Sequence, residues 1–405
     1  MTRQGSLFGG ARLQMTESIR LTVESLLAYG PRFEHWAIAW SGGKDSSTLV
    51  TLVVYLITSG RLSRPRTLTV LYADTRMELL PLSFAAAAIR DELAEHGIDV
   101  RVVMAPLNKR FFVYILGRGV PPPNNNTLRW CTRQIKIDPM AVELQRLRAQ
   151  HGQKLLVLTG VRQGESAIRD GRIAMSCSRD GAECGQGWYQ ETLPAALCDT
   201  LAPLLHWRVC HVWEWLRHWA PSAEFGDWST EVIADAYGGD EAEEVNARTG
   251  CVGCPLAQRD AALDAVIARP AWAYLAPLKE LRPLYRELRE PPVRLRKPGR
   301  ELRQDGTPAK NPQRMGPITL EARAAALGRV LDIQARVNAV ALQLGRPLVD
   351  LLNAEEEARI RELIAAETWP DGWEGDEPTA DVMLDQVFAD GTVQPLLIDA
   401  LRGSR

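Results

Sequence analysis

The sequence predicts an α/β fold: a doubly wound parallel sheet followed by a mostly helical C-terminal part. Two observations carry the sheet. Short apolar runs alternate with stretches of helical length and period through the first 160 residues. The runs end at glycines or small polar residues, at the strand ends where open α/β sheets hold their ligands. The third observation concerns the end of the chain, where residues 319–344 return to helical spacing after a basic, proline-containing stretch.

The elements follow in order. Residues 1–15 read as a flexible lead. Thr16 to Tyr29 reads as an amphipathic helix on Ile19, Leu21, Val23, Leu26 and Leu27. Trp36 to Trp40 is a buried strand, Ser41-Gly42-Gly43 a sharp turn, and Asp45 to Ser59 a helix. Thr67 to Tyr72 is a second strand, ending at Ala73-Asp74-Thr75. Glu78 to His96 is a helix closed by Gly97. Asp99 to Met104 and Leu155 to Thr159 are the third and fourth strands, the last ending at Gly160-Val161-Arg162. Pro121 to Asn126 is a loop. Residues 171–200, rich in glycine, cysteine and polar groups, read as a long functional loop or an insertion. Residues 208–219 have helical spacing. Trp213, Trp215 and Trp219 there read as core, and His206 and His211 as satisfied core histidines.

Composition sets limits. The length of 405 residues suits two or three domains, or one large core with additions. A net charge of −2 gives no overall attraction for polyanions, so nucleic-acid binding would need a local basic patch. Residues 279–314 supply one candidate, with 11 Lys/Arg against 5 Asp/Glu in an irregular arm. A solvated charged loop is the equal alternative. Residues 351–391 are acidic, with 12 Asp/Glu against 2 Lys/Arg. No apolar run is long enough for a membrane span and the N-terminus lacks a signal-peptide pattern, so no membrane is expected and a cytoplasmic location is. Seven cysteines in that compartment point to a metal, a reactive thiol or plain burial rather than disulfides.

The turn after the first strand carries the clearest chemistry. Glycines at a strand-to-helix turn let backbone N–H groups approach an anion, and the helix N-terminus favours negative charge. Ser41, Ser46 and Ser47 add hydroxyls and Lys44 a positive charge. The spacing is not that of the Walker loop. Asp74 and Thr75 close the neighbouring strand; helix capping is the alternative role for them. Arg162 and Arg169 can match phosphate oxygens, with Glu165 and Ser166 between them, and a surface ion-pair helix start is the alternative. Arg129, Arg133 and Lys136 are further anion contacts, or a basic helix face. Cys251-Val252-Gly253-Cys254 aims two thiols from a glycine turn at one metal, with a redox dithiol as rival.

The string Ser41-Gly42-Gly43-Lys44-Asp45-Ser46 resembles the PP-loop of the ATP pyrophosphatases. Gly160-Val161-Arg162, Glu165-Ser166, Arg169 and Arg129-Trp130-Cys131 resemble the phosphoadenosine phosphosulfate reductase-like branch of that superfamily. The resemblance covers residues ~35–260 and implies an adenine nucleotide α-hydrolase-like sheet. Composition and period divide the chain into a lead and helix (1–30), a nucleotide-binding α/β domain (31–170), a cysteine-containing substrate or cluster region (171–270) and a helical region with basic arm and acidic tail (271–405), and the resemblance bears on the middle two. It implies ATP with Mg²⁺, with Ser41, Gly42, Gly43, Ser46, Ser47, Asp74, Thr75, Gly160 and Glu165 as binding residues. Lys44, Asp45, Arg162 and Arg169 would be catalytic.

In the iron–sulfur members of the branch a Cys-x-x-Cys follows the Arg-Trp-Cys segment, as Cys251 and Cys254 follow Cys131 here. A [4Fe-4S] cluster is the implied cofactor, with zinc the alternative. A four-thiolate site needs a further ligand. Cys184 is favoured, then Cys177, both in the glycine-rich stretch; Cys198 and Cys210 read as buried thiols. Sulfonucleotide reductases carry a catalytic cysteine in a Glu-Cys-Gly-Leu-His motif, and no cysteine follows Cys254 here. The pattern therefore resembles the DNA phosphorothioation proteins of the DndC and SspD type. That resemblance implies DNA as substrate, and a cysteine desulfurase or other phosphorothioation proteins as partners. A tRNA thiolase and a non-catalytic nucleotide-binding assembly subunit are the rivals.

Overall fold

The computed structural model describes residues 14–124, 128–163, 188–191, 197–238, 251–299, 301, 307, 309–388 and 390–396. The chain builds two compact units, each from several stretches. One comprises Met1–Asp74, Leu79–Val103 and Met140–Thr249, the other Thr75–Glu78, Met104–Pro139 and Gly250–Arg405. Among the described residues no helix is long and apolar enough to cross a membrane.

The first unit is the wound sheet. After α1 (Met15–Tyr29) come β1 (His35–Trp40), α2 (Lys44–Thr58), β2 (Thr67–Asp74), α3 (Leu80–Glu95), β3 (Asp99–Met104), α4 (Asp138–His151) and β4 (Leu155–Leu158). β5 (Trp188–Glu191), β6 (Cys198–Ala202) and the short α5 (Val209–Glu214) complete it. The strand order is β3-β2-β1-β4-β6-β5. β1 pairs in parallel with β2 on one side and β4 on the other, β4 pairs in parallel with β6, and β5 is an antiparallel edge. The sheet is therefore wound outward in both directions from β1. The order reverses between β1 and β4, and open sheets of this kind bind ligands at the carboxyl ends of the strands there.

Strand alternation decides which side chains meet which layer. Ala37, Leu71, Val103, Leu155 and Val157 form one face with Leu144 and Leu147 of α4. Trp36, Ile38 and Trp40 take the other face of β1, and the Trp40 indole N–H donates to Ser47 Oγ of α2 at 2.9 Å. The tryptophans of this face are tied by polar tips as well as burial. Trp215 donates to Thr51 Oγ1 at 2.9 Å and Trp207 to Thr22 Oγ1 at 2.9 Å. Each buried side chain of this size contributes about 1.5–3 kcal/mol over an exposed one. The indole bonds fix which rotamer fills the space.

Two strands depart from the expected loop over residues 171–200. β6 escapes a hydrophobic reading because it carries Asp199, which is 2% exposed. Lys154 holds that carboxylate at 2.5 Å. A paired buried charge thus stands where alternation predicts an apolar residue.

The second unit is mostly helical, with α6 (Ala261–Ile267), α7 (Leu281–Glu287), α8 (Leu320–Leu344) and α9 (Ala354–Ala365). Thr319 caps α8 by accepting from the Ala322 N–H, and Gly345 ends it in the left-handed conformation. Asn353 and Glu356 form a reciprocal capping box at α9. The basic arm is more ordered than its composition suggests. It contains α7 and the strand β7 (Arg294–Arg296), which pairs with β8 (Met315–Ile318). Among the described residues, three of its eleven cations pair with carboxylates. Lys279 pairs with Asp264 at 2.5 Å, Lys297 with Glu377 at 2.6 Å and Arg314 with Glu301 at 2.6 Å. Arg294 donates to the Gly316 carbonyl at 2.5 Å.

Candidate functional site

The turn Ser41-Gly42-Gly43 joins β1 to α2 at the strand-order reversal. Gly42 has φ +71, a conformation that a side chain at this position would resist. Gly43 is the extended residue that starts α2. The hydroxyls lock the turn from within. Ser46 Oγ accepts the Ser41 N–H at 3.2 Å, lies 3.1 Å from Ser41 Oγ and donates to the Gly43 carbonyl at 3.1 Å. Ser47 is fully buried with its oxygen taken by Trp40, so it braces the helix against the sheet.

Charge is arranged in a chain across the start of α2. Asp45 accepts from Lys44 Nζ at 2.9 Å and from Arg162 Nε at 2.5 Å, so one carboxylate holds two cations. Lys44 is 6% exposed and Arg162 3%. Arg162 also donates through Nη1 to the Trp207 carbonyl at 3.2 Å. β1 and β4 pair as Ile38 with Leu158, and extending that register places Gly160 level with Trp40. A Cβ on Gly160 would lie 2.8 Å from the Asp45 carbonyl carbon and oxygen and 2.9 Å from the Ser46 nitrogen. Glycine there lets the end of β4 press against the first turn of α2.

The structure thus brings Ser41, Gly42, Gly43, Lys44, Asp45, Ser46, Gly160 and Arg162 together. Asp74 ends β2. Helix capping does not account for Asp74-Thr75, since the N-cap of α3 is Leu79, without a side-chain bond. Thr75 is buried in the second unit, its N–H and hydroxyl directed to Glu78 at 3.2 and 2.6 Å. Glu165, Ser166, Arg169, Cys177 and Cys184 lie outside the described residues. His206 Nε2 lies 3.0 Å from the Ser18 carbonyl, and His211, 1% exposed, accepts the Arg208 N–H at 3.1 Å. Both histidines are thus hydrogen-bonded, and Trp213 and Trp215 are fully buried, the Trp215 indole bonded to Thr51 and the Trp213 indole nitrogen without a hydrogen-bond partner among the described residues. Cys198 packs in the sheet core. Sequence reasoning missed Tyr237. It ends the 3₁₀ segment Glu231–Tyr237, its hydroxyl accepts the Lys44 backbone N–H at 3.2 Å, and Lys44 Nζ lies 5.1 Å from its ring centroid. No local pattern marks a residue 193 positions away.

Cys131, Cys251 and Cys254 all belong to the second unit. Trp130 sets Cys131 in place: its indole donates to the Pro121 carbonyl at 3.1 Å and its ring packs on Tyr114 and Phe111. Gly253, at φ +62, makes the turn between Cys251 and Cys254. The Val252 N–H ties that turn to the Met77 carbonyl at 2.8 Å. The neighbouring Arg76, itself at φ 63, is gripped by Glu356 and Asp350.

The thiols influence one another. Burial first, then Glu78, Cys254 and Cys131, push Cys251 up to about 12, with Lys136 acting the other way. Cys131 is also raised, mainly by burial, with Cys254 adding to it. Among the described residues no group of three or more His, Cys, Asp or Glu side chains is placed to hold a metal ion. The donor chemistry nevertheless fits a soft cation, which would favour the thiolates that this environment resists. Tyr285 supports the fit. It is 1% exposed, packs on the Gly253 turn, and its buried hydroxyl has no hydrogen-bond partner among the described residues.

If these cysteines hold metal, anaerobically purified Cys251→Ser and Cys254→Ser proteins should lose most of the iron and sulfide, or zinc, that the wild type carries. Cys198→Ser should keep it. Equal metal in all four proteins would exclude it. Loading should weaken as pH falls, because the thiols must shed protons to bind.

No curated protein matches the chain. Among solved structures, the U34-tRNA thiolase NcsA from Methanococcus maripaludis with its [4Fe-4S] cluster is similar at 15% identity and a TM-score of 0.33, over 67% of this chain and 76% of that one. Residues 35–220, which span all six strands of the sheet and the whole turn after β1, match the family described as the phosphoadenosine phosphosulfate reductase domain.

Proposed function

We propose that the protein is a PP-loop ATP pyrophosphatase that adenylates a substrate oxygen so that sulfur can replace it, with the DNA backbone as substrate. One observation carries the pyrophosphatase part of this reading, and the DNA part rests on the resemblance in sequence alone. Lys44 and Arg162 are both held by Asp45 at the N-terminus of α2, beside a glycine turn at the strand-order reversal. Buried, preorganised cations at a helix N-terminus suit a pyrophosphate whose charge grows as it leaves. MgATP would place its β- and γ-phosphates on Ser41 to Ser46. A non-bridging phosphate oxygen of the substrate attacks the α-phosphorus, that O–P bond forms, and the bond to the β-phosphate oxygen breaks. Lys44 and Arg162 take up the charge on the leaving pyrophosphate. A sulfur nucleophile then displaces AMP at the substrate phosphorus. A cysteine desulfurase is the class of partner that would furnish it as a persulfide, and a thiol reductant then cleaves the S–S bond to leave the phosphorothioate, with a disulfide as the oxidised product.

Cys131, Cys251 and Cys254 would hold a [4Fe-4S] cluster, which takes one further ligand. Bound there, such a group supplies a thiophilic site or a brace between two turns. This chain's own part is to present the thiols and shield them from water. Mass spectrometry of digested DNA and tRNA, from cells with and without the gene, tests the substrate. Phosphorothioate-linked dinucleotides that depend on the gene are expected. Gene-dependent thionucleosides in tRNA would move the reading to a tRNA thiolase, and no change in either would contradict sulfur insertion into nucleic acid.

A further inference from the structure

The structure assigns Tyr237 to the phosphate site, as the group that holds the first helical N–H of α2 until a phosphate oxygen replaces it. This rests on the reading of that loop as the seat of ATP's pyrophosphate. The Lys44 backbone N–H is one of the donors a helix N-terminus offers an anion. Here it is already spent, on the Tyr237 hydroxyl at 3.2 Å. The same oxygen lies 3.4 Å from where a Cβ on Gly43 would stand, so it covers the mouth of the turn. The ring sits under the Lys44 ammonium at 5.1 Å. It is itself 4% exposed and packed edge-on against Trp213 with centroids 5.0 Å apart.

The phenol oxygen thus mimics one phosphate oxygen, on the same N–H and beneath the same cation. An anion can take that N–H only by displacing it. Tyr237 therefore sets the affinity of the site. It keeps a buried donor satisfied in the empty protein and imposes on every incoming phosphate the exchange of one hydrogen bond for another. Removing the hydroxyl while keeping the ring leaves the donor unpaired, a state that a phosphate relieves.

The test is calorimetric titration of inorganic pyrophosphate and of MgATP into wild type, Tyr237→Phe and Lys44→Ala, with hydrogen exchange at the Lys44 amide. Tyr237→Phe should bind pyrophosphate about 3- to 10-fold more tightly than wild type, the range one net hydrogen bond allows. Its Lys44 amide should exchange faster without ligand and regain protection when pyrophosphate is added. Equal or weaker binding, or unchanged exchange, would overturn the role of Tyr237 while leaving the phosphate site intact. Absence of binding in both wild type and Tyr237→Phe, or full binding in Lys44→Ala, would instead remove the phosphate reading and this assignment with it. Fluorotyrosine-labelled wild type gives a readout that needs no variant. One tyrosine resonance should shift on saturation with pyrophosphate, and a spectrum with none moved would also overturn the assignment.

Discussion

Gly160→Ala is expected to cost the protein about 1–3 kcal/mol of stability, the usual range for forced overpacking. It should also slow any reaction at the phosphate loop on the order of 100-fold, as misplacement near 1 Å does. The added methyl would meet the Asp45 carbonyl at 2.8 Å and the Ser46 nitrogen at 2.9 Å, and both are backbone atoms. No flexible side chain is available to yield. Either the end of β4 retreats or the first turn of α2 is pushed aside, and Asp45, which positions Lys44 and Arg162, stands in that turn. Gly328→Ala is the control. It lies inside α8, with nothing within 4 Å of the added carbon. It should gain roughly 0.5–1 kcal/mol through helix propensity. Thermal unfolding of both variants, with turnover of Gly160→Ala, checks the contrast. Equal shifts in the two would mean that the close approach of β4 to α2 is not a feature of the folded protein.

Much of this was legible in the chain. Trp36 to Trp40 and Thr67 to Tyr72 are apolar runs bounded by breakers, and both lie in strands, which extend to His35 and to Asp74. The turn between β1 and α2 announces itself because only glycine takes φ +71 freely and only a short polar run follows it. Gly160 was legible as a strand end, while its role in admitting the Asp45 backbone needed coordinates.

Other features were hidden for definite reasons. β6 hid behind Asp199, whose charge is affordable only because Lys154 reaches it. The basic arm read equally as a polyanion track or a solvated charged loop, and composition does not show that Lys279, Lys297 and Arg314 meet Asp264, Glu377 and Glu301. Ser47 belonged to the motif but faces Trp40. Tyr237 and the grip of Glu356 on Arg76 join residues 193 and 280 apart, and no period or motif encodes such pairs.

Lys44→Ala should have the largest effect on chemistry. Lys44 is 6% exposed, and its ammonium is held by Asp45 at 2.9 Å above the Tyr237 ring. A cation fixed in that way need not reorganise as charge builds on pyrophosphate, and groups of this kind are worth on the order of 100- to 1,000-fold in rate. Alanine also leaves Asp45 paired with Arg162 alone, which lowers the positive charge of the loop. The direct measurement is release of pyrophosphate and AMP from MgATP by wild type and Lys44→Ala, with and without DNA. Wild type should form the two products one for one and the variant at least about 100-fold more slowly. Equal release from both proteins, none from wild type, or ADP and phosphate in place of AMP and pyrophosphate would contradict it.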